Sequence, residues 1–172
     1  MVTAILFGLY SAGVGIAITL IGYFTGLDKT GAANWLGYIS LPFFILFLWM
    51  AMKERKQEDY GGTISYGQCL WTGVLVGIFA GLAMGIFMYV YSTVINPGMM
   101  DMVIQKQAEA MRAKDMTADQ IQKAQSYTKM FTSPAMMVAW TFFGDIVMAT
   151  IFSLIIGIFV KTKEGEGEIK TV

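Results

Sequence analysis

Histidine is missing from the 172 residues altogether, cysteine occurs once and proline three times. Each scarcity closes a class of chemistry. Without histidine there is no general base of the commonest kind and no H-E-x-x-H zinc helix. Cys69 alone can form no internal disulfide and, with no histidine beside it, can anchor no zinc; it reads as a small packing residue. No G-x-S-x-G elbow and no Walker or dinucleotide glycine loop occurs. An intramembrane aspartyl protease would need two buried acids, and the apolar segments hold one. The expectation is a protein that is not an enzyme and has no cofactor or metal site.

Charge is scarce too, at 14% of residues against about a quarter in soluble domains. It is also segregated: residues 2–27, 30–52 and 60–100 carry none, and residues 130–160 carry only Asp145. Twelve basic and twelve acidic side chains balance, so there is no basic surface for nucleic acid.

What fills the space is apolar. Hydrophobic residues make up 56% of the chain and mean hydropathy is +0.59. Crossing a hydrocarbon core takes about 20 such residues per helix. Four segments qualify, at about 3–25, 35–52, 66–94 and 135–160. The first lacks the basic flank and the A-x-A-like cleavage site of a signal peptide and reads as a retained helix. The expected fold is all-α, a single membrane domain over 1–172 built as a four-transmembrane-helix bundle, with the lipid bilayer as its first partner.

Local signals mark the boundaries. Ser65 and Gln68 form an S-x-x-Q capping box at the start of the third helix. Asn96-Pro97-Gly98 ends that helix, because proline cannot extend the hydrogen-bond ladder. Ser133-Pro134 opens the fourth, with serine as N-cap and proline at the first helical position. Between them, 98–133 reads as an extracytoplasmic helical hairpin, its second helix opened by a Thr117/Gln120 capping box. A docking surface for another protein is the alternative role of that hairpin. Lys53, Arg55 and Lys56 follow the second span, and Lys161, Lys163 and Lys170 the fourth; the opposite side offers Lys29 and Lys129. The positive-inside bias therefore places both termini in the cytoplasm. Tyr23, Trp35, Tyr89, Tyr91 and Trp140 suit an outer aromatic belt, and Trp49, Tyr66 and Trp71 an inner one.

The stretches "GGTISYGQCLWTGVLVGIFAGL", "INPG", "QAEAMRAKDMTADQIQKA" and "SPAMM", in that order, resemble a family of small four-helix membrane proteins from Bacteroidota catalogued as a domain of unknown function. The resemblance covers essentially the whole chain. It implies a bacterial inner membrane and carries no activity, so no functional residue comes with it.

Three features invite a functional reading. Gly73, Gly77, Gly81 and Gly85 recur every fourth residue, a glycine zipper. In lipid, helices associate through close backbone approach at small residues, so the row is a packing groove. Thr141, Asp145, Ala149, Ser153 and Gly157 recur with the same period on the fourth helix, and that face is the groove's expected partner. Asp145 falls level with Gly81–Gly85, with Ser11–Gly15 and with the Pro42 region, away from every cation. A carboxylate there costs at least about 2.5–3.5 kcal/mol, so the neutral acid is the expected form. Hydrogen bonding to the Tyr38 carbonyl that Pro42 leaves free, to Ser11 or to Thr19 is its bland role; a proton or cation site is its sharp one. Finally, Met99, Met100, Met102, Met111, Met116, Met130, Met136 and Met137 crowd one segment. Thioethers suit Cu(I), but adaptable apolar packing is their commoner use. The function expected is a structural or accessory membrane component, a homo-oligomer or part of a larger membrane complex; the alternative is a small transporter or channel that uses Asp145.

Overall fold

The computed structural model describes residues 1–27, 30 and 33–162. Lys29, Lys163 and Lys170, three of the cations used for the orientation, lie outside the described residues. The described chain is helical, without strands. Helices α1 (Val2–Phe24), α2 (Ala33–Glu58), α3 (Tyr66–Val90) and α6 (Pro134–Val160) are the long ones; α4 (Met99–Arg112) and α5 (Ala118–Phe131) lie between the last two. Four helical stretches are long and apolar enough to cross a membrane: Val2–Phe24, Gly37–Glu58, Tyr66–Ile95 and Pro134–Val160. That is the make-up of a membrane protein. Large apolar side chains stand outside the bundle, Phe24 at 78% and Phe159 at 81% exposure among them. In water such a surface would drive aggregation.

Helix ends follow the chemistry of their residues. The Ser65 N–H donates to Gln68 Oε1 at 2.8 Å and the Gln68 N–H to Ser65 Oγ at 3.3 Å. Thr117 and Gln120 form the same reciprocal box at α5. Pro134 is the first residue of α6, but the Ser133 side chain does not cap it; the Ser133 carbonyl accepts from the Met137 N–H at 2.9 Å. Helix α2 outruns its apolar segment by six residues, from Lys53 to Glu58, because these are mostly good helix formers and Arg55 is held inside the fold. The chain then reverses through Gly61 and Gly62, both at positive φ, where a side chain would be strained. Before Pro97 the third helix widens into a π-turn over Tyr91–Ile95, a feature that no residue pattern announced.

Two compact units result. The larger holds Met1–Met84 and the chain from Phe142. Its core gathers Ala4 and Phe7 of α1, Leu48 and Met52 of α2, Cys69 and Val76 of α3, and Ala149 and Ile156 of α6. The smaller, Gly85–Thr141, contains α4 and α5, which meet where Thr128 Oγ1 donates to Gln107 Oε1. Ile104, Ala108 and Ile121 are buried there.

Candidate functional site

Helix α3 carries the larger unit. A β-carbon placed on Gly77 would lie 2.7 Å from Ala149 Cβ and 2.9 Å from Ile146 Cα; one on Gly81 would lie 2.8 Å from the Phe142 carbonyl oxygen. On Gly73 it would overlap Ser153, whose own Cβ would stand 2.6 Å away. Toward the end of α6, Gly157 faces Cys69 Cβ and the Tyr66 ring, each 3.2 Å from where its β-carbon would be. In the smaller unit Gly85 faces Val138, 3.2 Å away by the same measure. Ala149 and Ser153 are fully buried, and Ser153 Oγ donates to the Ala149 carbonyl, so its polarity is spent within its own helix.

A second row of small residues went unread in the sequence. Ala4, Gly8 and Ala12 of α1 also recur every fourth residue and are buried. A β-carbon on Gly8 would sit 2.9 Å from Phe79 Cβ and from the Val76 carbonyl oxygen of α3. The periodicity that flagged α3 was present in α1 as well, diluted by alanine. Small residues thus flank α3 on two sides.

Asp145 sits at the centre of this packing. Its carbonyl oxygen would be 3.0 Å from a Gly77 β-carbon, while the residue also lines a cavity of about 130 Å³. Ser11 and Gly15 of α1, Ser40 and Leu41 of α2, and Ala80 and Met84 of α3 share that cavity. On α1 and α2 the cavity joins Asp145 to the expected levels, Ser11–Gly15 and the turn before Pro42. On α3 the Asp145 backbone lies opposite Gly77 while Gly81 meets Phe142, so the expected level of Gly81–Gly85 is off by about a turn. The expected hydrogen bonds to Asp145 are not made. Thr19 donates instead to the Gly15 carbonyl at 2.8 Å and Ser40 to the Gly37 carbonyl at 2.8 Å. Hydroxyls in apolar helices satisfy themselves on their own preceding turn. Among the described residues no hydrogen bond reaches the Asp145 carboxyl or the Ser11 hydroxyl, and the ion pairs all lie elsewhere. By size the cavity has room for water, and Asp145, Ser11 and Ser40 are the polar side chains on an otherwise largely apolar lining.

At the end of the bundle where α2 stops, a cluster of polar groups appears that the sequence had marked only as positive charge. Arg55 is 6% exposed. Its Nε donates to Asp59 Oδ2 at 2.8 Å, Nη1 to Thr72 Oγ1 at 2.9 Å and Nη2 to Tyr60 Oη at 3.0 Å, with the guanidinium 5.2 Å from the Tyr60 ring centre. The planar fork of arginine can serve three directions at once. Asp59 Oδ2 also accepts from the Met1 ammonium at 2.9 Å; that ammonium and the guanidinium hold its carboxyl below the usual carboxylate range. Nearby, Lys56 Nζ donates to the Val160 carbonyl at 3.3 Å and Thr162 exchanges two hydrogen bonds with Ile64. This end is stitched by polar bonds, whereas the middle relies on close backbone contact.

Among the described residues no three His, Cys, Asp or Glu side chains gather as a metal site would require. Comparison with curated proteins and with solved structures finds no match. Residues 6–162, reaching from α1 through the end of α6, match the family described as protein of unknown function (DUF4199), and the chain belongs to that family.

Proposed function

We propose that this is a multi-pass protein of the bacterial inner membrane, both termini cytoplasmic and the α4–α5 segment outside, serving as a structural or accessory component rather than an enzyme. The observation that carries this reading is the packing of α3. Its glycines meet α6 and its Val76–Ala80 stretch meets Gly8 of α1 at backbone distance, which is how helices cohere where burying apolar surface gains nothing. A glycine-zipper core of this kind leaves the apolar outer surface free for lipid, for a second copy or for a larger complex. Purification in a mild detergent with mass spectrometry of what co-purifies tests it. A stable partner or a defined homo-oligomer supports the reading; a monomer that carries no partner under any mild condition counts against it.

A second reading is favoured by the Asp145 cavity. A carboxyl lining a cavity among apolar helices beside Ser11 and Ser40, with no partner among the described residues, suits a proton or cation site in a small carrier. Reconstitution into proteoliposomes with a pH-sensitive dye tests this. Proton or cation flux in the wild type that is lost in Asp145→Asn supports it, and equal flux in both refutes it.

A further inference from the structure

We propose that Lys53 and Lys56 form a site for the phosphate of an anionic phospholipid. The two lysines line one pocket of about 280 Å³ between α2 and α6, together with Trp49, Gln57, Phe159 and Val160. Its composition matches an amphiphile. Two ammonium groups supply positive charge, while Trp49 and Phe159, the latter among the most exposed apolar side chains, supply a wall for an acyl chain. Its position matches as well, because the apolar segments of α2 and α6 both stop here, at Met52 and Val160. That is the depth at which headgroups lie when these helices span a bilayer, the one part of the functional reading on which this inference depends.

The charge is available. Among the described residues neither lysine is in an ion pair; Glu54 and Glu58, the acids beside them in sequence, are in none either, and Asp59 is taken by Arg55 and the Met1 ammonium. Lys53 Nζ rests 4.5 Å from the Trp49 ring centre and Lys56 Nζ on the Val160 carbonyl at 3.3 Å. Trp49 and Val160 both line the pocket, so each ammonium rests against its wall. A ring and a carbonyl leave donor protons on each amine for phosphate oxygens. The spacing of three places the two cations on one helical face, so a single phosphodiester can be approached by both.

Native mass spectrometry of the full chain in detergent, with equimolar phosphatidylglycerol and phosphatidylcholine added, tests the site. The wild type is expected to retain phosphatidylglycerol in preference. Each cation removed should lower that preference about fivefold, the equivalent of ~1 kcal/mol per lysine at an anionic surface. Lys53→Gln is the deciding variant, because Lys53 is exposed and its loss leaves the core intact. Lys53→Arg should keep the preference. Lys56→Gln also removes the bond to Val160, so its melting temperature is measured beside its lipid preference. Equal retention of the two lipids by the wild type, or an unchanged preference in Lys53→Gln, overturns the site. Displacement of phosphatidylglycerol by millimolar inorganic phosphate overturns the lipid assignment. Loss of preference without any change in partner or ion flux keeps the site and separates it from the functional readings above.

Discussion

Gly77 and Ala149 stand so close that a β-carbon on the glycine would come within 2.7 Å of the alanine's own, with the Ile146 backbone 2.9 Å away on the same side. Neither neighbour is the movable tip of a long side chain. Replacing Gly77 or Gly81 by leucine therefore has to push α3 off α6, and overpacking of this kind costs about 1–3 kcal/mol or more. Leu82, on the same helix, is 47% exposed, so Leu82→Ala is the fair control. Thermal melting in detergent should drop sharply for either glycine variant and stay near wild type for Leu82→Ala. Equal melting temperatures would remove the groove from the account.

Asp145 has no hydrogen-bond partner among the described residues, so none of them should miss its acid proton. Asp145→Asn is expected to change stability by less than about 0.5 kcal/mol, the range of substitutions that break no buried contact. A large loss in the same melting assay would mean that the carboxyl bonds to a second copy or another partner.

Arg55 is expected to be the most sensitive polar residue. Its replacement by methionine keeps the length and leaves Thr72, fully buried, without its guanidinium donor. A hydrogen bond to a charged group contributes about 1.5–3 kcal/mol, and the loss should fall in that range. Arg55→Lys should not restore the melting temperature, since one ammonium cannot reach Asp59, Thr72 and Tyr60 together. Full rescue by lysine would show that charge alone suffices.

Acid should act through Asp59. The Met1 ammonium and the Arg55 guanidinium lower its folded-state pKa from 3.8, so the unfolded chain takes up the proton first as pH falls. The stabilisation is complete above the unfolded value and is lost as pH drops through the folded one. Asp59→Asn should melt lower than wild type at neutral pH, and the gap should start to narrow near the unfolded value of 3.8 and close once pH falls below the folded one. Asp59 is partly exposed, so the gap is small and shrinks with added salt. A gap that persists unchanged into strong acid would exclude the carboxylate as its source.

Orientation is open to direct labelling, helped by the burial of the single native thiol, Cys69. Cysteines introduced at Lys29 and Gln107 should react with a membrane-impermeant thiol reagent in intact spheroplasts, and cysteines at Gln57 and Gly165 only after lysis. The reverse pattern would invert the topology. Labelling of all four only after lysis would remove the four-span arrangement.

The four apolar segments, the capping boxes at Ser65 and Thr117 and the stop at Pro97 were legible because each depends on residues within a few positions of one another. Length of apolar run, a side chain three residues from an N–H and a missing proline donor are local quantities. The row of glycines was legible for the same reason: a period of four is visible in one helix. What those glycines touch belongs to the tertiary structure, as does the meeting of Ser11, Ser40 and Asp145 in one cavity. Counting residues from the helix ends gave their common depth. It could not give the rotation of each helix about its axis, which decides whether a side chain faces a cavity or lipid. Arg55 shows this most clearly. By sequence it is one of three equivalent cations after an apolar run, and only the approach of α3, bringing Thr72 to 2.9 Å, made it a buried anchor while Lys53, two residues before it, stayed outside.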